Sequence, residues 1–140
     1  MANVERYPYS SVNSALGEAG LQPYLPITLL NGSHSLTASG LLDSGATVNV
    51  LPHQIGIDLG AVWEQQQTVL QLSGNLAQLE ARAMLVTVVV GPFTPARLAF
   101  AWTKSTQVPV ILGQVNFFME FDVCFYRSQL AFDVRPKGTP

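Results

Sequence analysis

The chain has 140 residues, enough for one domain that buries about two thirds of its unfolded surface and folds without staples, and too few for two lobes. Charged residues make up 11% of it, against about 25% in soluble domains, while 48% are hydrophobic, so much of the surface must be neutral or apolar, as a buried subunit interface would explain. The 7 Lys and Arg against 9 Asp and Glu give a net charge of −2, and neither sign gathers into a run able to track phosphates or anionic lipid, which argues against nucleic acid and membrane as partners.

Residues 1–22, rich in Pro, Ser, Asn and Gly and without a sustained period, read as an extended arm lying over the domain or onto a partner. The first eight residues carry an acid and no apolar stretch of the signal-peptide kind. The longest apolar run, residues 83–90, is broken by Thr87 and is far short of the roughly 20 residues that span a bilayer. A soluble, cytoplasmic protein is expected. Residues 24–30 and 36–42 are strand-like and are joined by Asn31-Gly32-Ser33-His34, a hairpin signal because Asn-Gly tolerates the positive φ of a type I′ turn. The second strand ends in Leu41-Leu42-Asp43-Ser44-Gly45-Ala46-Thr47. Strand character resumes over 48–51, and Pro52 introduces a short helix over 53–59 that Gly60 closes.

Downstream, residues 68–72 and 77–83 flank a flexible tip at Ser73-Gly74-Asn75, and the second arm alternates Gln78, Glu80 and Arg82 with Leu79, Ala81 and Ala83. That arm continues through residue 90, a loop follows at Gly91-Pro92-Phe93-Thr94-Pro95, and residues 96–102 form another alternating strand. Residues 108–112 are a continuous apolar strand ended by Gly113, and Val115, Phe118 and Met119 lie at helical spacing, predicting a short helix over 114–121. Residues 123–126 and 130–134 read as a closing hairpin around Arg127-Ser128-Gln129, and 136–140 as a polar tail. Many short strands with one or two short helices predict an all-β, barrel-like domain over 23–135.

The passage at Asp43 carries the chemistry. It sets one carboxylate between an apolar strand and a tight turn, and no second Asp-Ser-Gly or Asp-Thr-Gly occurs in the chain. Together with the downstream Pro109-Val110-Ile111-Leu112-Gly113 and the helix after it, the passage resembles the retropepsin family, the single-lobe relatives of pepsin that include retroviral proteases. The order of strand, motif and helix is also similar to that of retropepsin-like proteins of bacteria.

The resemblance implies a closed or partly open acid-protease barrel that forms a C2 homodimer and acts on a peptide or protein substrate without metal or other cofactor. It implies that Asp43 is the catalytic aspartate, that Ser44 reaches across the dimer axis, and that Gly45 permits the turn. Ala46, Thr47 and Ile111 would line the substrate cleft, and the hairpin bearing Leu72, Ser73, Gly74 and Asn75 would be a flap closing over it. Residues 130–134, with the N-terminal arm, would supply dimer strands. Where retroviral members carry an acid after the motif and an Arg after the hydrophobic-hydrophobic-Gly element, this chain has Thr47 and Gln114, so that ion pair is absent.

Other readings compete residue by residue. Asp-Ser-Gly alone is an ordinary turn, since Asp and Ser cap backbone groups and Gly accepts unusual dihedrals. Ser44 as a nucleophile lacks a Gly-x-Ser-x-Gly setting and has only His34 and His53 as candidate bases, both beside turns. Glu120 and Asp122 have no His or Cys at ligand spacing, and Cys124, in the run Val123-Cys124-Phe125, reads as an inert core residue. The rival function is a retropepsin-fold dimer that binds peptides or proteins without cleaving them.

Overall fold

The computed structural model describes residues 3–11, 14–72 and 74–138. Its architecture follows from the hairpins. β2 (Tyr24–Asn31) and β3 (His34–Leu42) pair in register from Tyr24↔Leu41 to Asn31↔His34, leaving a two-residue loop, Gly32-Ser33. The positive φ of 57° falls on Gly32, the first central position, where a type II′ loop needs glycine; the expected type I′ turn would centre on Asn31-Gly32, one residue earlier.

β4 (Asn49–Leu51) leads into α1 (His53–Asp58), which Pro52 caps in extended conformation. β5 (Val69–Gln71) is short and pairs with the start of β6 (Glu80–Val89); β6 then pairs along its length with β7 (Ala96–Thr103). β8 (Val110–Leu112) lies between β3, to which it is parallel, and β4, to which it is antiparallel. The strand order β2-β3-β8-β4-β7-β6 closes on itself because the far end of β6 pairs with β2 at Thr28↔Val89, Leu29↔Val88 and Leu30↔Thr87. The result is a six-stranded closed barrel with β5 attached to β6. Inward residues Leu25, Leu29, Val86, Val88, Leu98, Phe100 and Leu112 are almost fully buried and fill it.

A second sheet packs on the barrel. β9 (Phe121–Tyr126) and β10 (Ala131–Pro136) form the expected closing hairpin, and β1 (Glu5–Pro8) adds to the other edge of β10 with Arg6 opposite Asp133. β10 therefore has a neighbour on each side within its own protomer. Arg6 Nε donates to Asp133 Oδ1 at 2.6 Å, and Tyr7 stacks on Phe132 at 5.6 Å. The rest of the described N-terminal region includes a 3-10 stretch, Ser14–Gly20.

Three further sequence expectations change. The helix expected over 114–121 shrinks to α2 (Phe117–Glu120), because Val115 pairs in parallel with Val48 and its carbonyl accepts from Asn49 N–H at 3.2 Å instead of from a helical N–H four residues on. Leu130 leaves the closing strand: it caps a 3-10 turn, Arg127–Gln129, with left-handed φ of 51°. Cys124 is exposed rather than in the core, since along β9 it shares the outward face with Asp122 while Phe121 and Val123 turn inward. No helix among the described residues is long and apolar enough to cross a membrane.

Candidate active site

Asp43 is placed by two strand ends. β3 delivers it beside β8, where its N–H donates to Leu112 O at 3.0 Å, and a tight turn follows in which Ala46 N donates to Asp43 O at 3.0 Å. Its side-chain Oδ1 accepts from Gly45 N at 2.9 Å, so the carboxylate is oriented by its own turn. None of the three ion pairs among the described residues involves Asp43. Oδ2 has no protein donor there either. One oxygen is thus fixed and the other is free for a proton or a water.

The strand after β8 is laced to the turn. Gln114 N bonds Ala46 O at 2.9 Å, Val115 N bonds Thr47 O at 2.9 Å, and Gln114 Nε2 donates to Ser44 O at 2.8 Å. Where an arginine ion pair would have braced the region, a neutral amide braces the backbone of the motif itself. Gly113 sits directly beneath: a Cβ there would lie 2.6 Å from Val48 O and 2.8 Å from Ala46 O, so only glycine fits.

Asn49 is the residue that sequence reasoning missed. It is fully buried, its Oδ1 accepts from Gly113 N at 2.8 Å, and its Nδ2 donates to Ala99 O at 3.1 Å. It therefore ties β4, the end of β8 and β7 together under the Asp43 turn. The signal was present as a lone amide in the apolar run Val48-Asn49-Val50-Leu51. Asn116 adds a similar tie, with Oδ1 accepting from Ala99 N at 2.6 Å.

Asp43 opens onto a cleft of about 380 Å³. Of the residues expected at the site, Gly45, Ala46, Thr47, Leu72, Gly74 and Ile111 line it with Asp43. Val48, Val50 and Leu76 line it as well and were not foreseen. Ser44 is exposed and outside the lining; Asn75 lies in the 3-10 turn Gly74–Leu76, and Ser73 lies outside the described residues. Among the described lining residues Asp43 is the one ionisable group, and the other side chains are mainly aliphatic. A larger hollow of about 510 Å³, between Tyr7 and the β2–β3 hairpin, contains no carboxylate and no motif residue. Of these two, the cleft with Asp43 is the chemically equipped one, and it lies where strand ends converge.

Several of the remaining acids and histidines have structural partners. Glu120 pairs with Lys137 at 3.0 Å, Gln54 donates to Asp58 at 2.8 Å, and His53 stacks on Trp102 at 5.6 Å. Among the described residues no three His, Cys, Asp or Glu side chains are grouped to hold a metal ion.

The sequence model of the aspartyl protease family matches residues 26–115, which include Asp43 and extend past Gly113. The chain belongs to the aspartyl protease family. Its fold is similar to that of a retropepsin-like aspartic protease from Rickettsia conorii, with a TM-score of 0.66 and 11% identity over 95% of this chain and 92% of the other. It also resembles the EIAV protease complexed with an inhibitor, at a TM-score of 0.45 and 21% identity over 66% of this chain and 82% of that one. None of the curated proteins matches the sequence significantly. The fold is accordingly retropepsin-like, an all-β barrel with two short helices.

Proposed function

We propose that the protein is an aspartic endopeptidase that works as a homodimer, with Asp43 of each copy meeting at a twofold axis. The carrying observation is the half-buried Asp43 carboxylate, held through Oδ1 by the Gly45 N–H at the mouth of an aliphatic cleft. One carboxylate cannot do the chemistry alone. Two held about 3 Å apart cannot both ionise cheaply, so the pair shares one proton and is at once acid and base. The ionised member takes a proton from a water that attacks the peptide carbonyl. The protonated member gives its proton to the carbonyl oxygen; as the gem-diol collapses, the member that took the water's proton passes it to the leaving amine and the first recovers a proton from the diol hydroxyl.

A twofold axis supplies the second group without a second motif, because an isologous interface brings the same residue from each copy to the same place. In this reading exposed Ser44 bonds the partner's backbone across the axis. Ala46, Thr47 and Ile111 contact substrate, and the hairpin between β5 and β6, with Leu72, Ser73, Gly74 and Asn75, closes over it. Since β10 is paired on both sides, a second copy that extends the outer sheet does so at β1 or β9.

The test is cleavage of an unstructured protein from about pH 3 to 7, at concentrations where sedimentation shows a dimer. Cleavage abolished by Asp43→Asn in a protein that stays dimeric supports the proposal. No cleavage by the dimeric wild type anywhere in that range overturns it, and retained peptide affinity in that case identifies a binding module.

A further inference from the structure

On β6, Ala81 and Arg82 leave the strand on opposite faces. Ala81 is fully buried with Leu72 and Ala101 in a small apolar cluster on the cleft side, separate from the main core. Arg82 turns outward, and its Nη1 donates to Trp63 O at 2.7 Å and to Gln66 O at 3.3 Å. Its guanidinium lies 4.7 Å from the centre of the Trp63 ring, and Lys104 Nζ lies 5.2 Å from the same ring. Residues 63–66 lead into β5. One side chain of the second arm of the β5–β6 hairpin thus fastens the root of the first.

Trp63 is a firm anchor for that contact. It meets Trp102 edge-on at 5.1 Å and His53 at 6.0 Å, and Trp102 Nε1 donates to His53 O at 3.0 Å. Trp63 is 6% exposed and Trp102 fully buried, so the outer tie ends on the barrel core. The inner tie is weaker: β5 is a three-residue edge strand, and the cleft-side cluster has only three buried members. A segment with few buried contacts opens locally at low cost, so a single charged clamp can set its open population. A lysine cannot replace it, because only the planar guanidinium can stack on an indole while reaching two carbonyls.

We infer that Arg82 is a positioning residue that governs how long the β5–β6 hairpin stays down over the Asp43 cleft, touching neither substrate nor Asp43. The kinetic part of this inference rests on the protease reading; the conformational part does not. The experiment uses the 140-residue chain and compares wild type, Arg82→Met and Arg82→Lys by backbone amide hydrogen exchange and by peptide hydrolysis.

Arg82→Met is expected to speed exchange over residues 66–72 and 80–83 by about tenfold or more, the effect of losing charge-assisted hydrogen bonds, with β2–β3 amides unchanged. KM for a peptide is expected to rise by about tenfold with kcat within about twofold, and Arg82→Lys to recover less than half of either effect. Unchanged exchange in the hairpin, or the same acceleration throughout the barrel, overturns the inference. Where the wild type cleaves nothing, the protease reading fails and hydrogen exchange alone decides. Should Arg82→Met not fold, Arg82→Gln decides by the same criterion: a local rise in hairpin exchange supports the clamp, and its absence refutes it.

Discussion

An asparagine at position 43 keeps the Oδ1 acceptor that holds Gly45 N–H and removes only the capacity to carry a proton. Asp43→Asn should therefore lower turnover by roughly 1000-fold or more while the melting temperature stays within a few degrees, as read by peptide hydrolysis and calorimetry. A large stability loss on this change would mean that the carboxylate serves the turn rather than the chemistry. Asn49 is the opposite kind of residue. Asn49→Ala leaves Gly113 N–H and Ala99 O buried without partners and should cost about 2–4 kcal/mol in denaturant unfolding. Asn49→Asp keeps one bond but buries a charge, and should recover little of that loss.

At the scale of elements, the strand β8 and the turn it supports behave as one piece. Gly113→Ala pushes a methyl against Val48 O and Ala46 O, both backbone atoms with no room to yield. Destabilisation of about 3 kcal/mol or more is expected, and any folded fraction should show lower kcat as the Asp43 turn shifts. The outer sheet should respond to acid. The Arg6 hydrogen bond holds the Asp133 carboxyl below its ordinary value of 3.8, with burial opposing it, so the group binds protons less readily folded than unfolded. Its contribution is present above about pH 4 and is lost as pH falls through the lowered folded value. Arg6→Met should cost stability at about pH 6 and progressively less towards about pH 2, measured as melting temperature against pH. A constant difference would show that the pair is not what ties β1 to β10.

Hairpins were readable from the sequence because their signals are local: Asn31-Gly32, the alternation over 78–83, and Arg127-Ser128-Gln129 each announce themselves within a few residues. The helix over 114–121 misled for a physical reason. Its helical spacing was real, but Val115 is held in a bridge to Val48 with its carbonyl bonded to Asn49 N–H, and no local pattern reveals bonds to a segment nearly seventy residues away. Val48, Val50 and Leu76 were missed at the cleft in the same way, since apolar strand residues look alike until the strands are placed around Asp43.

For the whole molecule, the barrel class was legible in the count of short strands, whereas closure was not. It depends on three residue pairs between β2 and β6, at the end of two strands whose other pairings already satisfied the pattern. The candidate site was legible through the single Asp-Ser-Gly, whose Asp43 lies at a cleft. A protease that needs two copies must lose specific activity on dilution, and the rate per protomer should fall linearly with concentration once below the dimer dissociation constant. Constant specific activity across a dilution series from micromolar to nanomolar, with hydrodynamic evidence of monomer, would refute a shared active site.

The close seating of Gly113 under the carbonyls of residues 46 and 48 has a consequence for anyone who would transplant this site. The motif around Asp43 is not a portable loop: its floor, its bracing amide at Gln114 and its buried tie at Asn49 belong to other stretches of chain. Grafting the heptapeptide from Leu41 to Thr47 into a foreign barrel would transfer a turn. Moving it together with residues 48–51 and 110–116 would transfer the scaffold that gives the turn its shape.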